Sequence, residues 1–198
     1  MRRTEGTLLA NLSTNVFRSI FIVNNISWKG SKHYVKFCFF LIQEDGFKQC
    51  GTNCKLCPFT GEAATTRGRL VKSVKVSNTG EDYVIRGRIT CSTKNVLYLA
   101  TCTKADRTCP DKPQYGGETG QEAKKRFAEH YGTITQPCHV NTTTPVGQHF
   151  RQLGHSVKDL DFIPVERIYS SYVFVRKARE RHLINRLGLI DNGLNRRL

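Results

Sequence analysis

The stretch from Asn95 to His130 constrains this chain more than any other. Asn95-Val-Leu-Tyr-Leu-Ala-Thr-Cys102 is a short apolar run with Tyr98 near its centre, and it reads as a buried strand. Gln114-Tyr-Gly-Gly-Glu-Thr-Gly120 is strand-like and carries glycines. Gln121 to His130 has helical character. Thr119 at its start and Glu122 three residues on have the spacing of a capping box. Arg126 and His130 are four apart and share a helix face. Two strand tyrosines and an Arg/His face are thus placed in immediate succession.

The flanking segments predict further elements in the same α/β pattern. Leu70 to Val76 and Tyr83 to Ile89, separated by Asn78-Thr-Gly-Glu81, read as a hairpin. Pro145 to Leu153 reads as a short helix stopped by Gly154. Phe162 to Ile168 reads as a strand whose Pro164 favours an edge position. Tyr172 to Leu187 is the last helix, ended by Gly188. Three regions follow from composition: residues 1–47, apolar patches mixed with Asn, Ser and Lys and carrying no recognisable chemistry; 48–92, cysteine-rich with a hairpin; and 93–198. Val35 to Ile42 in the first region is apolar, and a buried strand explains it.

On the last helix Glu180, Leu183, Ile184 and Leu187 fall at i, i+3, i+4 and i+7, so a carboxylate sits on the apolar stripe. Burying an acid is costly unless it is paired or bound to a metal. A salt bridge to Arg176 or another base satisfies that condition, and so does a metal ion.

Eight cysteines occur, at 38, 50, 54, 57, 91, 102, 109 and 138. Cys50-Gly-Thr-Asn-Cys54-Lys-Leu-Cys57 sets three thiols on a Gly/Asn turn, which suits a tetrahedral zinc knuckle. The fourth ligand must come from elsewhere. The hairpin carries Cys91 back toward the knuckle and makes it the first choice; Cys102 and Cys109 are rivals or a second half-site. The alternative is a set of buried small thiols. His149 and His155, around the short helix, read as structural or solvent-exposed.

The net charge of +15 points to a polyanionic partner, with nucleic acid as the leading reading. Lys124, Lys125, Arg151, Lys158, Arg176, Lys177, Arg179, Arg181 and Arg186 are candidate phosphate contacts. No run of eighteen apolar residues is present, so no membrane-spanning helix is expected. The N-terminal apolar stretch is broken by Asn11, Asn15 and Arg18 and makes a poor signal peptide. A nuclear or cytoplasmic protein with reduced thiols follows. The opposing reading is a secreted, disulfide-stabilised basic protein, for which the sequons at Asn11, Asn25 and Asn141 would matter.

The order Val96-Leu97-Tyr98, Tyr115-Gly116-Gly117, Arg126, His130, Glu180 and Gly193-Leu194-Asn195 resembles the GIY-YIG nuclease family. Its wording is most similar to the endonuclease domain of Penelope-like retroelement reverse transcriptases. The resemblance covers roughly Cys91 to Asn195 and implies a small three-stranded, mostly antiparallel sheet flanked by helices, preceded by a cysteine-rich extension. It implies a metal-dependent DNA endonuclease that nicks target DNA, with a reverse transcriptase in the same polyprotein as a further partner. Glu180 would hold Mg²⁺ or Mn²⁺. Tyr98 would be the general base, Tyr115 would position water or phosphate, and Arg126 would grip phosphate oxygens. His130 would relay a proton, because an ordinary imidazole titrates near neutrality. Asn195 would fix the site by side-chain hydrogen bonds. The resemblance also supports zinc on Cys50, Cys54, Cys57 and Cys91. Three departures stand out: Val96 and Gly116 replace the family's residues, and the gap from Tyr98 to Tyr115 is 17 positions, lengthened by a Pro- and Asp-rich loop. Those departures leave room for a rival, a binding module that keeps the fold and has lost the chemistry.

Overall fold

A computed structural model describes residues 44–51, 53–61, 68–104, 109–136 and 144–196. The chain divides into two units, Met1–Gln43 and Glu44–Leu198, and the second is described here. The strand expected at Val35–Ile42, Cys38, Cys138 and the sequon at Asn141 lie outside the described residues. The class is mixed α/β.

The apolar run becomes β5 (Val96–Cys102), buried at every position but Thr101. A strand with so little exposed surface needs neighbours on both edges and layers on both faces. It is the centre of a three-stranded sheet in the order β6-β5-β7, with β6 at Gln114–Thr119 and β7 at Leu160–Arg167. Both pairings are antiparallel. Tyr98 lies opposite Gly117 on β6 and Pro164 on β7, where a register shift between Leu97 and Tyr98 marks a bulge. Pro164 has no N–H to give the ladder, which is tolerable on a flanking strand.

Side chains alternate across the sheet. On one face Tyr98 stacks on Phe162 with ring centroids 4.5 Å apart, and Phe127 of helix α1 (Ala123–Thr135) meets Phe162 edge-on at 5.7 Å. Ala123, Phe127 and His130 form the buried stripe of α1. On the other face Gly116 accepts Ile184 and Leu189 from helix α3 (Val173–Arg186) and the turn after it. Helix α2 (Pro145–Gln152) packs beside α1, starts at a Thr144 cap that accepts from Gly147 N–H, and ends before Gly154 at φ +63°.

The predicted hairpin is shorter than its sequence pattern. β2 (Ser73–Lys75) pairs antiparallel with β3 (Asp82–Val84), but the chain then turns at Gly87, φ +81°. β4 (Arg88–Thr90) leaves the hairpin and pairs in parallel with β1 (Gly46–Lys48). Phe47 of β1, Leu56 and Cys57 belong to the same apolar cluster as β5, so the cysteine-rich stretch shares the core of the sheet.

The expected capping box is absent. Helix α1 starts at Ala123 with Glu122 in the cap position and no side-chain cap bond. Thr119 Oγ1 accepts from Gln121 N–H instead. The orphan donors of the first turn go to backbone carbonyls of the preceding turn: Ala123 N–H to Thr93 at 3.1 Å and Lys124 N–H to Cys91 at 2.8 Å.

Gly117 has a specific steric duty. A Cβ there would overlap the Tyr98 phenol and lie 2.8 Å from the Tyr115 ring edge. Tyr98 is fully buried and cannot swing away. Gly117→Ala is therefore expected to destabilise the protein by about 1–3 kcal/mol, the usual effect of overpacking. Urea titration checks this, and an unchanged midpoint would refute the packing account.

Candidate functional site

Tyr98 is the hub. Its hydroxyl accepts from Arg126 Nε at 2.9 Å and lies 3.0 Å from His130 Nε2. The arrangement comes from the helix period: Arg126 and His130, one turn apart, both look down on β5. Arg126 also places its guanidinium 5.9 Å from the Tyr98 ring centre and pairs with Glu129. Tyr115 stands 6.3 Å from Tyr98, ring to ring, and 5.9 Å from His130.

The electrostatics of the hub are set by burial. Burial pushes the Tyr98 phenol above its ordinary value, although Arg126 pulls the other way. Tyr115 is raised as well, by burial and then by the Glu180 charge. The Arg126 guanidinium is held even more firmly protonated: burial alone would lower it, but Tyr98 and Glu129 outweigh that. His130 is driven down to about 3 by burial and by the Arg126 charge. Burial and the neighbouring guanidinium thus favour the neutral form of the His130 imidazole. Its Nδ1 has no hydrogen-bond partner among the described residues. Arg126 donates to the phenol oxygen, so Tyr98 can turn its own proton toward Nε2 in the Nδ1–H tautomer.

Glu180 and Asn195 converge on the outer edge of β6. Glu180 Oε1 accepts from Glu118 N–H at 3.1 Å. Asn195 bonds Gly116 twice, its Oδ1 accepting from the N–H and its Nδ2 donating to the carbonyl, each at 2.8 Å. Burial, then the Glu118 charge, raise the Glu180 carboxyl, while the Glu118 amide, Lys177 and Arg126 act to lower it. Tyr98 and Tyr115 both feel the Glu180 charge. Arg176, the partner proposed for Glu180, is committed to Glu118 at 2.8 Å.

Two clusters of metal-ligating side chains flank this hub. Cys50, Cys54, Cys57 and Cys91 bring their ligand atoms within 4.8 Å of one another. Cys57 and Cys91 Sγ are 3.6 Å apart. That is beyond a disulfide and close to the roughly 3.8 Å that two sulfurs take on one tetrahedral zinc. Burial raises the Cys91 thiol, and pushes Cys50 up to about 11. Cys54 is lowered: burial opposes this, but the amides of Cys57 and Leu56 and the Cys50 thiol prevail. The second cluster is Cys102, Cys109, His149 and His155, also within 4.8 Å. Cys102 Sγ lies 3.3 Å from His155 Nδ1, and Cys109 Sγ lies 3.5 Å from His149 Nε2. Either set can hold a metal such as zinc. The sequence suggests structural or exposed histidines here, yet His149 and His155 complete the half-site that Cys102 and Cys109 open. Their His-x₅-His spacing was the available signal.

The candidate phosphate contacts divide. Arg176 is buried and ties Glu118, Asn95 Oδ1 and the Ser171 carbonyl, so its expected place on a DNA face is corrected to an internal brace. Arg179 closes its fork on Glu166 at 2.7–3.0 Å. Arg186 lies over the Tyr83 ring. Arg151 Nε bonds the Gly147 carbonyl, and Lys124 Nζ bonds Ser92 and pairs with Glu122. Lys125, Lys158, Lys177 and Arg181 are exposed.

Comparison with protein-family models, with curated proteins and with solved structures finds no match.

Two measurements test this geometry. The purified chain should carry zinc at both clusters, and chelation should speed hydrogen exchange at Ala123 and Lys124, whose amides hang on the Cys91–Thr93 turn. Protection unchanged after metal removal would refute the coupling. The second concerns pH. Unfolded, His130 titrates near 6.5; folded, near 3. Between those values the unfolded chain takes a proton that the folded chain refuses, so this part of the stability is complete above pH 6.5 and drains as pH falls. Thermal melts from pH 7 to 4 should fall less steeply for His130→Gln than for the parent; parallel slopes would show that His130 is not the group responsible.

Proposed function

We propose that residues 93–198 form a GIY-YIG-like nuclease domain that hydrolyses phosphodiester bonds in DNA. The observation that carries this reading is the convergence of Tyr98, Tyr115, Arg126 and His130 on one site, with Glu180 in their electrostatic field and Asn195 locked to the same strand edge. Singly, each residue has a bland structural explanation. Jointly, they bring an acid, a fixed cation and two phenols onto one strand pair and the helices beside it, which is the set this chemistry calls for.

Each residue then has a role. Arg126 offers planar charge to phosphate oxygens as negative charge builds in the transition state. Tyr98 acts as a phenolate and takes the attacking water's proton, its own proton having passed to solvent beforehand against the burial that now holds it. Arg126, donating to the same oxygen, is the residue that favours that loss. His130 orients the phenol as a neutral partner. Tyr115, beside Tyr98 and in the field of Glu180, would position water or phosphate. Glu180 fits a hard cation: it is a half-buried carboxylate with one oxygen fixed by the Glu118 amide. Mg²⁺ or Mn²⁺ there would neutralise the scissile phosphate and polarise it. Asn195 keeps the β6 edge in register with Glu180.

DNA is the partner this reading requires, held by exposed bases such as Lys125 and Lys177 with salt-sensitive, weakly sequence-specific contacts. A reverse transcriptase in the same polyprotein, target nicking for retroelement integration and a nuclear location belong to the same proposal. No helix among the described residues is long and apolar enough to cross a membrane. The zinc clusters serve as structural pins on either side of the site. One observation favours the rival, a nucleic-acid-binding module without catalysis: Tyr98 is 0% exposed and its pKa is raised.

Supercoiled plasmid with Mg²⁺ separates the two. The nuclease reading expects nicking that Glu180→Ala lowers on the order of 10²–10³-fold, the scale of losing one transition-state electrostatic contact, while DNA affinity stays near the parent's. Binding without nicking in the parent protein would establish the rival.

A further inference from the structure

An exposed aromatic strip precedes and opens helix α3. Tyr169, Tyr172 and Phe174 are 78%, 66% and 69% exposed. The Tyr172 and Phe174 rings stack on each other with centroids 5.5 Å apart, and the Arg167 guanidinium lies 5.0 Å from the Tyr169 ring centre. Nothing in the core needs these rings. Their backbone is nevertheless pinned: Ile168 N–H bonds the Asn95 carbonyl at 2.8 Å, and Arg176 bonds the Ser171 carbonyl at 3.0 Å. The strip is thus preorganised, and a ligand would not have to order it.

The surroundings are cationic. A cleft of about 490 Å³ beside Tyr169 is lined by Ser92, Lys94, Asn95 and Arg167 among others. Lys94 and Arg167 are exposed. Along α3, Phe174, Lys177 and Arg181 follow one another on the exposed face at i, i+3 and i+7. The nearby acids do not offset this, because Glu118 and Glu166 are held by Arg176 and Arg179. An apolar strip alone would suit a protein partner or a second copy of this chain. Rings interleaved with lysine and arginine suit a polyanion that also presents flat apolar faces. Unpaired nucleotides do both, whereas a duplex keeps its bases stacked inside.

We propose that Tyr169, Tyr172 and Phe174 form a stacking platform for the bases of a single-stranded nucleic-acid segment, with Lys94, Arg167 and Lys177 meeting its phosphates. The platform rests on the reading that nucleic acid is the partner, and it adds a preference for unpaired strands. Phe174 and Glu180 are six residues apart, about 9 Å of helix rise, with Lys177 between them. A strand leaving the platform along α3 therefore runs toward the candidate site.

Fluorescence anisotropy of the full chain tests this, with a thymidine oligonucleotide of about 12 nucleotides and a blunt duplex at one salt concentration. Tyr172→Ala/Phe174→Ala removes only exposed rings, and a thermal melt confirms the fold. The expected result is about tenfold weaker binding of the single strand, with duplex affinity within about twofold. The same paired change to Leu keeps apolar area without rings and should not restore binding. Unchanged single-strand affinity, an equal loss on duplex, or rescue by Leu would each overturn the platform. Nicking is scored apart. Ring-dependent binding without plasmid nicking removes the nuclease reading and keeps the platform; Glu180-dependent nicking with ring-independent binding does the reverse.

Discussion

The outward edge of β6 holds the site together. Among the described residues β6 has β5 on one side and no strand on the other, so its outward backbone groups need partners from elsewhere. The Gln114 carbonyl takes Leu194 N–H at 2.8 Å, Gly116 is bonded twice by the Asn195 carboxamide, and Glu118 N–H goes to Glu180. Three successive outward positions are thus closed by the C-terminal stretch and α3. The same bonds decide where the candidate functional groups stand. Gly116 makes the fit possible, because a Cβ there would lie 2.9 Å from Leu189 Cδ1 and 3.3 Å from Ile184 Cγ1. In sequence Gly116 looks like a weak point in a strand. In the fold its missing side chain lets α3 come close enough for Glu180 to reach the edge.

The hub depends equally on the cysteine-rich extension. α1 begins without a side-chain cap, and its first donors end on the Cys91–Thr93 turn. Cys91 is also in the four-cysteine cluster. A metal there would therefore hold the turn that holds the helix that carries Arg126 and His130. The second cluster does the matching work at the far end: Cys102 is the last residue of β5, and His149 and His155 come from α2 and the turn beyond it. Tyr98 lies on the strand between the two pins. With a metal in each cluster, both ends of β5 would be tied down around the phenol, guanidinium and imidazole of the hub.

Much of this was legible in the sequence, and the remainder was hidden for identifiable reasons. Strand β5 was legible because seven nearly uniform apolar residues leave little alternative, and α2 and α3 because Gly154 and Gly188 end them. Cys91 does join the other three thiols, but through β4 lying beside β1 rather than through a hairpin that returns the chain. The start of α1 was misread because Thr119 and Glu122 have capping spacing, while tertiary carbonyls took the donors first. The hairpin was overestimated because the left-handed conformation at Gly87 breaks a continuous strand pattern. His149 and His155 were underrated because a single histidine carries little information until its partners are known. The depressed pKa of His130 could not be read at all, since it arises from burial beside Arg126.

Charge is the last point at which composition and structure part. A net charge of +15 invites counting every arginine as a phosphate contact. Yet Arg176 and Arg179 are spent on Glu118 and Glu166, where a planar fork matches a carboxylate better than an ammonium does. The exposed cations on the same helix include Lys177, a strongly hydrated point charge on a flexible stem. Such a surface attracts a phosphate backbone without reading sequence. On the proposed reading, discrimination between nucleic-acid forms would come from groups with shape, which on this unit are the exposed rings at the start of α3 rather than the lysines beside them.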